Sequence, residues 1–275
     1  MNLFYKKPTF GYVTISPYIA AQMLMANKKN RNINRNYVAS LARDMLAGNW
    51  QDNGDSIRFG KDGVLLDGQH RLTAIIQSQV SLECLVIKDI DNEAMQTIDS
   101  GRKRTYGDRL SINGIKNAGR YSATINILSY LCGHRTGIGG QQLTNSELDQ
   151  VRLAHPNLYV SIEKTHKVFP KVENLIGALH YVASFQGLHE DAEEFVDVWR
   201  HGQASYPSDA ALFTREWLIK DNAKMRSTNL HGRQYTVIDG FRKFLKRKPM
   251  RGTKRSNSYL VPNFTKQDLF MGKAE

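Results

Sequence analysis

Residues 64–76 read Val-Leu-Leu-Asp-Gly-Gln-His-Arg-Leu-Thr-Ala-Ile-Ile, and the hydrophobic period changes in the middle of them. Val64, Leu65 and Leu66 form the pattern of a short buried strand. Asp67-Gly68 breaks it, and Leu72, Ile75 and Ile76 then recur at helical spacing. A strand therefore turns sharply into a helix, and the turn holds a carboxylate, a glycine, an amide, an imidazole and a guanidinium. The start of a helix has unpaired N–H groups and a partial positive charge, which suits a phosphate. Gly68 allows close backbone approach, and Arg71 has the fork geometry that grips phosphate oxygens. The alternative is a surface turn capped by Asp67, with His70 and Arg71 in solvent.

Working outward, Asn36 to Gly48 carries Val38, Leu41, Ala42, Met45 and Leu46 on one helical face. Asp55 to Phe59 reads as a strand, and Lys61-Asp62-Gly63 as a hairpin turn into Val64. Glu83 to Ile87 is a further strand, followed by a short helix over residues 91–98. Beyond Gly114 the pattern becomes helical: 121–131, a helix opened by a Thr144/Glu147 capping box and stopped at Pro156, then 158–169, 172–185, 190–201, 208–220 and 233–246. The Gly-rich run 134–142 reads as a connector or as a phosphate wrap. The expected fold class is α+β, a small mixed-sheet domain over 1–114 followed by an all-helical domain over 115–248, with a basic, flexible tail over 249–275.

The stretch Asp67-Gly68-Gln69-His70-Arg71-Leu72-Thr73-Ala74 resembles the Gly-x-x-Arg-x-x-Ala signature of the ParB/sulfiredoxin superfamily. The Asp-Gly-Gln-His-Arg spelling is most similar to the DGQHR-type proteins of DNA-modification clusters and to ParB-like phage proteins. The order helix, strand, turn, strand, signature helix agrees. A second box, Asp99-Ser100-Gly101-Arg102-Lys103, resembles the Glu-Asn-x-x-Arg motif of ParB, with Asp for Glu and Ser for Asn. The resemblance spans residues 10–110. It implies a nucleoside-triphosphate-binding domain taking ATP or CTP with Mg²⁺. Gly68, Gln69, His70, Arg71, Arg102 and Arg104 would meet the phosphates. Asp67, His70 and Asp99 would do the catalytic work, with Asp67 and Asp99 also holding the metal. On this reading Arg71→Ala abolishes nucleotide binding and leaves the fold intact. Sulfiredoxin chemistry needs a cysteine nucleophile where this chain has Gln69, and an amide cannot attack. A triphosphatase acting on or near DNA, in a phage or DNA-modification system, is the leading expectation. The alternatives are a DNA-binding, partition-like regulator, a metal-dependent nuclease built on Asp55, Asp67 and Asp99, and a kinase on the same fold.

The chain of 275 residues has a net charge of +12, which favours an anionic partner. Arg242, Lys243, Lys246, Arg247, Lys248, Arg251, Lys254 and Arg255 form a run without acids. Lys28, Lys29, Arg31 and Arg35 form a second cluster, and Arg102, Lys103 and Arg104 a third. Each is either a solvated face or a contact to DNA phosphates, and together they favour DNA. No convincing helix-turn-helix reader is legible. HExxH, paired CxxC, Gly-x-Ser-x-Gly and Walker A spacings do not occur, so zinc, haem, flavin and P-loop chemistry are not expected. His180 and His201 read as packed or surface histidines, and Trp199, Tyr206 and Trp217 as core. No apolar run reaches the ~18 residues of a membrane span. The segment MNLFYKKPTF lacks a signal-peptide core, and Cys84 and Cys132 form no motif. A cytoplasmic protein is expected, of a bacterium or of a phage's host, and a homodimer is left open.

Overall fold

The computed structural model describes residues 7–28, 30–96, 98, 104–134, 142–169, 171–223, 230–253 and 260–272. It is α+β, with a small mixed sheet and many helices. The chain divides into two compact units, Met1–Lys103 with Gly139–Ser146, and Arg104–Ile138 with Glu147–Glu275. No helix among the described residues is long and apolar enough to cross a membrane.

The first unit contains β1 (Thr9–Ile15), α1 (Pro17–Leu24), α2 (Arg35–Leu46), β2 (Ile57–Gly60), β3 (Leu65–Asp67), α3 (Gln69–Ser78) and β4 (Leu82–Ile90). The strand order is β1-β4-β2-β3. β4 pairs antiparallel with β1 and parallel with β2, and β2 pairs antiparallel with β3. Both α1 and α2 pack on α3. Their inward residues meet those of the sheet in one core that includes Val38, Ala42, Met45, Ile57, Leu65, Leu72, Ile75 and Val86. α1 starts where Ser16 caps it and Pro17 presets its first turn. The outer edge of β3 is covered by the α1–α2 loop. Leu65 N donates to Ala26 O (3.0 Å), and Asn30 Nδ2 donates to Leu65 O (2.7 Å). The sheet thus does not end there in unpaired backbone.

In the second unit the helices are α4 (Tyr106–Ile112), α5 (Ala118–Leu131), α6 (Asn145–Ala154, whose first turn begins in unit 1), α7 (Leu158–Lys164), α8 (Glu173–Phe185), α9 (His189–His201), α10 (Ala210–Ala223), α11 (Leu230–Leu245) and α12 (Lys266–Met271). α8 is buried all round from Leu175 to Ala183, so it is the central helix. Trp199, Phe195, Phe241 and Phe244 fill the core beside it.

Three features differ from the sequence reading. The unit boundary lies at 103/104 rather than 114, because Tyr106 and Leu110 are buried among helices and Tyr106 Oη donates to Asp149 of α6 (2.8 Å). The helix expected over 158–169 ends at Lys164, and Lys167 takes a positive φ of 58°. The stretch read as a tail contains α12. Within it Met250, Val261, Phe264 and Leu269 are buried, and Val261 N donates to Leu131 O (2.9 Å). Its spaced apolar residues, not its charge, decide its placement.

Candidate functional site

The turn from β3 to α3 is shaped by Gly68, which has φ +105° and whose Cβ, if present, would lie 3.0 Å from Ile57 Cγ1. Only a residue without a side chain meets both demands. α3 begins with no side-chain cap on its N–H groups. The two motif residues that open it face inward: Gln69 is 4% and His70 8% exposed.

Their partners lie in the α1–α2 loop. Gln69 Oε1 accepts from Asn27 Nδ2 (3.0 Å), and Gln69 Nε2 donates to Arg31 O (2.8 Å). His70 Nε2 accepts from the backbone N–H of Asn34 (3.1 Å), so that nitrogen is the unprotonated one. Asn34 in turn caps α2 by accepting from Tyr37 N (3.1 Å), and the Tyr37 ring stands edge-on to His70 at 5.4 Å. The polar motif therefore braces the loop that carries the start of α2.

Arg71 and Asp67 form the other half. Arg71 Nη2 donates to Ser56 O (2.6 Å) and to Asp67 Oδ2 (3.3 Å), and Arg58 Nη1 stands 3.7 Å from the same oxygen. Asp67 Oδ1 accepts from Gly68 N (2.7 Å). Both carboxylate oxygens are engaged, one of them facing two guanidiniums. In this structure Asp67 serves as the counter-ion of Arg58 and Arg71. Among the described residues no group of three or more His, Cys, Asp and Glu side chains gathers for a metal ion. Asp99 and Arg102 lie outside the described residues. Arg104 is exposed and belongs to the second unit, ahead of α4.

Beside the motif opens a cleft of about 900 Å³, within the first unit. Its walls are the loop residues Arg31, Asn32 and Asn34, the α2 side chains Asn36, Tyr37, Ser40, Leu41 and Asp44, His70 of α3, and the segment Gln142 to Asn145. That segment reaches the first unit from far along the chain and is latched to α2. Arg43 Nη2 donates to Gln142 O (2.7 Å), Thr144 Oγ1 donates to Asp44 Oδ1 (2.7 Å), and Ser146 Oγ donates to the same oxygen. The volume suits a small ligand. The α2 and 142–145 walls were not legible as site residues in the sequence, because nothing local links positions 100 residues apart.

The basic run of the second unit is only partly free. Arg242 donates to Leu260 O, Lys243 Nζ pairs with Asp239 (2.8 Å), and Arg247 pairs with Asp191 (2.9 Å) and Glu194 while stacking over Phe244 at 5.0 Å. Burial holds the Arg242 guanidinium below its ordinary pKa. Lys246, Lys248 and Arg251 are exposed. Lys254 and Arg255 lie outside the described residues.

A second polar line runs through the helical unit. Ser161 Oγ and His180 Nδ1 are 2.8 Å apart, and His180 Nε2 lies 3.3 Å from Glu193 Oε1, which also pairs with Lys164. The order of groups is that of a nucleophile, base and acid. Ser161 and His180 are 3% and 4% exposed, so a substrate has no path to the hydroxyl. Burial also pushes the His180 pKa down, against the pull of Glu193. This line ties α7, α8 and α9 together.

Compared with known proteins, the chain matches no family model, no curated protein and no solved structure.

Proposed function

We propose that the first unit binds a nucleoside triphosphate in the cleft along α2, with the phosphates at its Arg31, Asn34 and His70 end. The observation that carries this reading is that the cleft opens beside the 67–71 motif, with His70 in its wall and the positive end of α2 at its rim. Arg31 adds an exposed cation there. The resemblance of the motif to the ParB/sulfiredoxin signature supports the same ligand. The role of the motif in this proposal is indirect for Gln69 and Arg71. They hold the loop and the sheet end in place, and the phosphates meet the residues so placed. Mg²⁺ would come with the triphosphate on its own oxygens.

The chain then acts on or near DNA, in the cytoplasm of a bacterium or a phage's host. The net charge of +12 and the exposed Lys246, Lys248 and Arg251 support phosphate-backbone contact. A nucleotide-switched binding module is favoured over a hydrolase or nuclease by one observation: Asp67, the described carboxylate of the motif, is the counter-ion of Arg58 and Arg71.

Calorimetric titration with ATP, CTP, GTP and UTP, with Mg²⁺ and with and without duplex DNA, tests the proposal. Saturable binding of one triphosphate that is weakened in Arg31→Ala supports it. No binding of any of the four overturns it. Release of inorganic phosphate at a rate that DNA stimulates would restore the hydrolase.

A further inference from the structure

We propose that the cleft is polarised along α2, and that Asp44 takes the sugar end of the nucleotide, its Oδ2 accepting a hydrogen bond from a ribose hydroxyl. This rests on the nucleotide reading above and adds the direction in which the ligand lies.

Tyr37, Ser40, Leu41 and Asp44 lie at i, i+3, i+4 and i+7 on one face of α2, and all four line the cleft. At 1.5 Å per residue the two ends of that stripe are about 10 Å apart. One end has the helix's positive pole, Arg31 and the Asn34 cap. The other has a carboxylate. A triphosphate placed against Asp44 would set like charges together, whereas at the Arg31 end it meets a cation and oriented N–H groups. The anionic end of the ligand is thereby assigned to the start of α2.

The carboxylate itself is asymmetric. Asp44 Oδ1 accepts from Thr144 Oγ1 (2.7 Å) and Ser146 Oγ, and these two hydroxyls are 2.8 Å from each other. Oδ2 has no hydrogen-bond partner among the described residues. The side chain is thus held rigidly by its neighbours and presents one charged acceptor to the cleft. Phosphates have no proton to give it. The vicinal hydroxyls of ribose do, and a carboxylate receiving a ribose hydroxyl is established chemistry in dinucleotide sites. Arg43, the cation nearest in sequence, is occupied by the Gln142 carbonyl (2.7 Å) and does not line the cleft.

The test is calorimetry with three probes: a ribonucleoside triphosphate, its 2′-deoxy counterpart and inorganic tripolyphosphate. Asp44→Asn keeps an oxygen for Thr144 and Ser146 while removing the charge. It is expected to weaken the ribonucleotide about tenfold, as loss of a charge-assisted hydrogen bond does. It should leave tripolyphosphate affinity unchanged and bring the ribo-to-deoxy ratio close to one. Ser146→Ala loosens the strap without touching Oδ2 and should keep the wild-type ratio. Equal loss for nucleotide and tripolyphosphate in Asp44→Asn, or a ratio that collapses equally in Ser146→Ala, overturns the direct contact. So does a wild type that binds ribo and deoxy forms alike, and in that case nucleotide binding itself stands. A wild type that binds none of the three probes overturns both readings.

Discussion

Gly68 and Arg71 each fix a stretch of backbone in the first unit. Gly68→Ala forces a side chain into a left-handed backbone position and against Ile57. It should cost about 1–3 kcal/mol, read as a lower denaturant midpoint. From the sequence, Arg71 is expected to be a phosphate ligand whose removal spares the fold. The structure ties its guanidinium to the carbonyl of Ser56, a residue only 2% exposed, and to Asp67. Arg71→Ala removes that carbonyl's charged side-chain donor and the partner of Asp67, so a stability loss of about 1–3 kcal/mol is expected. Loss of nucleotide binding in that variant counts only where a melt shows the protein still folded at the assay temperature.

At the level of elements, the strand-to-helix switch, α2 and the helices α5 to α11 of the second unit were readable because amphipathic period is local. β1, α1, α4 and α12 were not. β1 is exposed along its length except at Ile15, so it lacks the alternation that marks a strand. α4 and α12 are six or seven residues long and stand on capping boxes at Thr105 and Thr265 rather than on periodicity. α12 also has a job. His155 is fully buried, with Nε2 on the Leu269 carbonyl (2.9 Å) and Nδ1 on Tyr181 Oη (2.7 Å). Truncation after Thr253 should therefore lower the melting temperature of the second unit, by exposing the surface that Val261, Phe264 and Leu269 cover. An unchanged melt would return the segment to a dispensable tail. Asn34→Ala removes the α2 cap and should cost about 1 kcal/mol, checked by chemical denaturation.

Over the whole molecule, pH and salt act on different side chains, all of them in the second unit. Burial lowers the pKa of both His155 and His180 from the ordinary 6.5. Folded, these rings stay neutral where unfolded ones take up protons. Stability from this source is complete above about pH 6.5 and declines as pH falls toward the lowered values. Denaturation across pH 5–8 should show that fall in the wild type, and a flatter profile in His155→Phe, which cannot bind the proton. If DNA binds through Lys246, Lys248 and Arg251, their joint replacement by Ala should reduce the slope of log affinity against log salt by about 2–3. Arg247→Ala should alter stability more than that slope, because Asp191 and Glu194 already hold it. The sequence by itself determined the class of the fold, the place where strand becomes helix and the position of the polar motif, since each is written in neighbouring residues. Only the tertiary structure decided what the motif holds and what forms the cleft. Gln69 and His70 spend their polar groups on a loop 36–42 residues earlier, and Asp44 finds Thr144 and Ser146 at separations of 100 and 102. Such partners are chosen by packing and by the cost of burying an unpaired polar group, neither of which has a local period to read.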